Sequence, residues 1–204
     1  MLPVSGLAAP EWPLAAAIDF NLVHAVFSQS GLPVAADYRE TGLTLRQWLI
    51  PGVFSLGVRG GILDVTEDAN PALHGAGLSG AYGGLDAGLH SDWTRWLGFA
   101  AYGSETYHRA SAQYSMTPLR IRWYGFHARM GPVARLGMLT VGFGAYYRRV
   151  TGAFVEADSA SVVFATQSGP YASVALATGA RGRIKLVGEG GRWHAYLLSF
   201  RYGF

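Results

Sequence analysis

The chain has 204 residues, enough for one domain, and only 14% of them are charged, well below the roughly 25% usual in soluble domains. It holds no cysteine, which excludes disulfides, thiolate metal sites and a cysteine nucleophile. The formal net charge is +3, carried almost wholly by arginine with Lys185 the single lysine; no basic run is interleaved with aromatics, so a nucleic-acid partner has no support.

The opening MLPVSGLAAPEWP lacks a cationic start and is too short in apolar residues for an intact signal peptide. Strand-like segments then follow one another without a helical period. The first, over 14–27, sets Ile18, Phe20 and Leu22 opposite Asp19 and Asn21. The second, over 38–49, sets Leu43, Leu45 and Leu49 opposite Glu40, Thr44, Arg46 and Trp48, and Ile50-Pro51-Gly52 turns the chain. The third, over 53–63, places Phe54, Leu56 and Val58 opposite Ser55, Gly57 and Arg59. The fourth, over 74–89, is rich in glycine and has Leu85, Ala87 and Leu89 opposite Asp86; His90-Ser91-Asp92 reads as its turn.

A fifth strand is predicted over 93–107 and a sixth over 113–129, where Leu119, Ile121 and Trp123 oppose Arg120, Arg122 and Tyr124. Met130-Gly131-Pro132 reads as a turn into a seventh over 133–147. A short eighth over 161–166 ends at Ser168-Gly169-Pro170, and a ninth covers 171–184. The glycines of the fourth strand read as bends or as room for cross-strand aromatics. Tight connections alternate strictly with longer ones, as in an up-and-down barrel with short turns at one end.

The last segment, WHAYLLSFRYGF, is the most informative. Tyr196, Leu198, Phe200, Tyr202 and Phe204 alternate with Leu197, Ser199, Arg201 and Gly203, a strand with two unlike faces. This ending resembles the C-terminal sorting strand of bacterial outer-membrane β-barrels, which finishes on an aromatic. No window of about 18 apolar residues exists for a membrane helix, and a chain in hydrocarbon must close its own backbone hydrogen bonds. The expectation is therefore an all-β, up-and-down antiparallel transmembrane barrel of about ten strands over 14–204, with both termini periplasmic. Residues 1–13 are expected to be an N-terminal periplasmic segment or a signal remnant. A soluble sandwich or lipocalin-like barrel is the competing reading.

With the apolar rows turned to lipid, Asp19, Glu40, Arg46, Arg59, Asp86, Arg120, Arg122, Tyr124 and Arg201 are expected to line the lumen. The arginines there either brace the barrel through carboxylates or form a positive constriction that favours anions. The leading function is a narrow passive channel for a small solute. A closed barrel acting as an anchor, surface or assembly protein is the alternative. A hydrolase ranks lower: Ser–His groupings occur at His90 with Ser91 and Asp92, at His24 with Ser28 and Ser30 and at His108 near Ser111, but the first lies on a predicted turn where adjacent side chains point apart. Omptin-like proteases also have ten strands, but they raise their acidic residues and His on long outer extensions, for which this chain looks too short. No cofactor or metal is expected. The resemblance implies a lipid bilayer with lipopolysaccharide, and insertion machinery engaging the last strand; the sequence is silent on oligomeric state.

Overall fold

The structure, a computed structural model, describes residues 13–29, 32–66, 77–114, 117–156 and 159–204. Ten strands are present: β1 (Leu14–Gln29), β2 (Leu32–Ile50), β3 (Phe54–Thr66), β4 (Leu78–Asp92), β5 (Leu97–Tyr114), β6 (Thr117–Leu136), β7 (Leu139–Glu156), β8 (Ser159–Ala177), β9 (Gly182–Glu189) and β10 (His194–Gly203). All pair antiparallel and close into one barrel in the ring order β1-β10-β9-β8-β7-β6-β5-β4-β3-β2. The start of β1 lies against the end of β10, Ala15 opposite Gly203, so both ends of the wall meet at one rim, here called the terminal end.

Strand number and connectivity match the sequence expectation, but several turns do not. Met130-Gly131-Pro132 lies inside β6, and the chain reverses at Gly137, whose φ of 63° suits glycine. Pro132 is tolerated because the β6–β7 ladder lapses between Met130 and Val133, where its missing N–H costs no bond. Ser168-Gly169-Pro170 lies inside β8. Pro170 sits one residue beyond the last rung shared with β9, Tyr171 opposite Glu189. The reversal falls instead at 178–181, with Gly179 at φ 107°, so the segment expected to be a ninth strand is a hairpin. His90-Ser91-Asp92 ends β4 rather than turning it. Residues 1–12 and 74–76, the latter the expected start of the fourth strand, lie outside the described residues.

The larger correction concerns length. β5, β6, β7 and β8 run 18, 20, 18 and 19 residues. At about 3.3 Å per residue and a tilt near 40°, such strands rise about 45–50 Å, roughly twice the 25 Å apolar band of a membrane barrel. The expected shortage of chain for extensions is thus wrong, because the segments taken for loops are strand. HRASA (108–112), left between the fifth and sixth predicted strands, lies in β5, and most of RRVTGAFVEADSA (148–160), left between the seventh and eighth, lies in β7 and β8. β9 and β10 stay short, with 8 and 10 residues. Past their far ends β1 pairs directly with β8, Ser28 opposite Phe164. The ring narrows there from ten strands to the eight longer ones.

Two environments follow along the axis. Around the terminal half the outward residues are large and apolar: Ile18, Phe20, Leu43, Val58, Leu85, Phe143, Leu176 and Phe200 are all exposed, Leu85 to 64%. An exposed apolar girdle of this extent, interrupted by Glu105 opposite Leu85, belongs in hydrocarbon rather than water. Around the far half the faces exchange character. Outward positions carry Asp37, Arg39, Asp64, Ser79, Arg109, Arg120 and Arg122, while Val23, Phe27, Leu63, Val65, Leu78, Leu119, Ile121 and Trp123 are buried inside as one apolar cluster. An eight-stranded ring is just wide enough to be filled by side chains, so the far half is packed like a soluble barrel.

Candidate functional site

The bore is the site, and the register explains how its polar groups meet. Arg46, Gly57 and Asp86 occupy one row across β2, β3 and β4. Gly57 has no side chain, so Arg46 passes over it and donates through Nε, at 2.9 Å, and Nη2 to Asp86 Oδ1. A Cβ at Gly57 would stand 2.9 Å from both Asp86 oxygens. A second row places Gly42, Gly61, Tyr82, His108, Trp123 and Gly152 side by side. Its three rings stack, His108 lying 4.5 Å from Trp123 and 5.7 Å from Tyr82. The flanking glycines leave the rings their space.

Two buried glutamates act as hubs. Glu40 accepts a bond from Asn21 Nδ2 at 3.0 Å, lies 2.7 Å from His108 Nε2, and stands 3.6 Å from Arg59 Nη2. Glu189 lies 2.7 Å from His127 Nε2, accepts from Arg148 Nη2 at 3.1 Å, and stands 3.7 Å from Arg129 Nη1. Arg148 joins the hubs' surroundings by donating through Nη1 to Tyr38 Oη at 3.0 Å. β2 and β7 are five strands apart in either direction around the ring, so this one hydrogen bond crosses the full diameter. Thr44 donates to Asp19 at 2.5 Å. Tyr102 lies between the guanidiniums of Arg46 and Arg129, at 5.4 and 4.6 Å, a cation–π arrangement that holds both.

Among the described residues, two of the cavities beside the hubs measure about 30 and 40 Å³ and are lined in part by Arg59, His127, Arg148 and Glu189. Each has room for two or three waters. Above them, toward the far end, Phe27, Tyr38, Trp123 and Trp193 join the apolar cluster, with Trp193 edge-on to Phe27 at 5.5 Å.

Of the residues expected in the lumen, Asp19, Glu40, Arg46, Arg59, Asp86 and Arg201 face the bore. Arg120, Arg122 and Tyr124 do not. All three point outward from β6, Tyr124 59% exposed, while Leu119, Ile121 and Trp123 fill the interior. A period-two pattern separates two faces without saying which is inside, and here the wall has already left the hydrocarbon. The terminal strand does turn Tyr196, Phe200, Tyr202 and Phe204 outward. The sequence reading missed Arg129, Arg148 and Glu189, and it named His108 only in a Ser–His grouping rather than as a partner of Glu40. Arg148 and Glu189 fell in segments read as loops; their signal was the continued alternation Tyr146-Arg148-Val150 and Lys185-Val187-Glu189.

The Ser–His groupings do not converge. His108 points inward and Ser111 outward; His90 packs on Trp48 at 5.4 Å; His24 lies 2.7 Å from Asp37 and stacks on His194.

No protein-family model and no curated protein matches the chain. Among solved structures, the barrel is similar to the translocator domain of the autotransporter NalP from Neisseria meningitidis, at a TM-score of 0.51 and 14% identity over 98% of this chain and 91% of that one. It is also similar to an outer membrane channel from Pseudomonas putida F1, at a TM-score of 0.50 and 8% identity over 100% of both chains. At such identities the likeness is one of fold. The chain is a closed ten-stranded barrel of the bacterial outer-membrane type, with its apolar girdle turned to lipid.

Proposed function

We propose that this chain is a closed outer-membrane barrel, an anchor or surface element whose working part is the water-exposed eight-stranded extension. The carrying observation is the Arg148–Tyr38 hydrogen bond across the diameter, set beneath a packed aromatic layer. Side chains that meet from opposite walls leave cavities for water and no width for a solute. The terminal end faces the periplasm in this reading, and the outward aromatic row of β10 serves as the signal for insertion machinery.

The second reading keeps a solute path that opens when the hubs swing aside. One observation favours it: Arg183 lies directly opposite Arg201, and Lys185 shares their face of the bore. Like charges so placed repel and would draw an anion in from the terminal end. Fold likeness to a channel cannot choose between the two, since one fold serves many functions.

Planar-bilayer conductance of refolded protein separates them. The closed barrel passes no steady current, with intact heat-modifiable migration proving that it is folded. Steady anion-selective conductance that loses selectivity in R46A plus R201A would establish the second reading instead. Release of acyl chains or peptide fragments that vanishes on changing His90 would restore the hydrolase.

A further inference from the structure

Three arginines of the far half stand together on the outer wall. Arg109 on β5 lies directly opposite Arg122 on β6, and Arg120 follows two residues along the same outward row, opposite Ser111. Like charges facing across a ladder destabilise it by themselves. Among the described side chains no carboxylate lies within ion-pair distance of any of the three. The contrast lies on the same rim: Arg39 on β2 has Asp64 directly opposite it on β3.

What lies below the trio gives it meaning. One outward position nearer the terminal end, Tyr107 faces Tyr124 with ring centroids 5.0 Å apart. The next outward position on β6 is Phe126, whose ring is 6.2 Å from Tyr147 and which has Glu105 and Arg149 opposite it on β5 and β7. Beyond these the outward rows of β6 and β7 run through Met130 and Phe143 into the apolar girdle. Tyrosines on a membrane barrel sit at headgroup level. The guanidiniums of Arg109 and Arg122, two residues or about 6.6 Å further out along the strand, and of Arg120, four residues or about 13 Å out, therefore stand at and just beyond the depth of lipid phosphates, where planar forked donors suit phosphate oxygens.

We infer that Arg109, Arg120 and Arg122, above the Tyr107–Tyr124 pair, form a site for the phosphate-bearing headgroup of a lipid in the leaflet at the far end. Its acyl chains lie along the Phe126, Met130 and Phe143 strip. A soluble anion would find the charges but waste the greasy track directly beneath them. The inference rests on the depth of the barrel in the bilayer and is independent of whether the bore conducts.

The test uses the full chain in phosphatidylcholine nanodiscs doped with phosphatidic acid or, as the same lipid without phosphate, diacylglycerol. Native mass spectrometry counts the lipid retained on the released barrel. Phosphatidic acid should be retained over diacylglycerol, and R109Q/R120Q/R122Q should lose about a hundredfold of that preference, as three interfacial charges imply. R39Q should keep it. Equal retention of the two lipids, an unchanged triple variant, or complete displacement by millimolar inorganic phosphate would each overturn the site. Should the triple variant fail to fold, the wild type still decides: retention must weaken as salt rises, and salt-independent retention rejects the inference.

Discussion

Arg148 shows how much one side chain can carry. Its guanidinium satisfies Glu189 on β9 and Tyr38 on the opposite wall, and lies 5.8 Å from the ring of Trp193. Removing it leaves Tyr38 without its donor and takes a guanidinium from Glu189, which keeps only His127 at 2.7 Å and Arg129 at 3.7 Å. Loss of one partner from a buried ion pair costs about 3–5 kcal/mol, whereas replacing both by apolar groups is often near neutral. R148M should therefore lower the unfolding free energy by about 3 kcal/mol in urea titrations of the lipid-embedded barrel. Here R148M/E189L should recover little of that loss, because Arg129 and His127 then lose the carboxylate they share. A single variant within 1 kcal/mol of wild type would mean that His127 and Arg129, not Arg148, hold Glu189.

At the scale of the strand, β6 passes through both environments. Near the terminal end its inward residue is Arg129 and its outward one Met130; near the far end the inward residues are Ile121 and Trp123 and the outward ones Arg120 and Arg122. Hydrocarbon demands apolar groups outside, and water demands them inside, so one uninterrupted strand satisfies both only by exchanging its faces. Adjacent positions should then differ sharply. I121D places an unpaired carboxylate in the apolar cluster and should cost about 3 kcal/mol. R122D points outward into the polar layer, opposite Arg109, and should stay within about 0.5 kcal/mol. Equal effects in paired unfolding curves would refute the exchange.

For the whole molecule, ring size and environment go together. Where ten strands close the wall the bore is wide enough to need a polar network; where β9 and β10 have ended, eight strands close on an apolar filling. The bilayer boundary should therefore lie near the level of Tyr107 and Tyr124. Nitroxide labels at positions 58 and 85, which are outward and girdle-level, should respond to dissolved oxygen and not to a water-soluble nickel quencher. Labels at 120 and 122 should show the reverse. Nickel access at all four positions would place the barrel outside the membrane altogether.

Composition, alternation and the aromatic ending determined the class, the strand number and the outward row of β10, because each depends on local spacing that a strand preserves wherever it lies. Asp19, Glu40, Arg46, Arg59 and Asp86 were legible as inward residues for the same reason: they share strands with a lipid-facing row. Only the tertiary structure decided which way Arg120 and Arg122 point. Their direction depends on where the wall leaves the hydrocarbon, a property of strand length and ring closure. The partners of Glu189 likewise come from β6 and β7, three and two strands away around the ring. No spacing along the chain encodes a contact made across a bore.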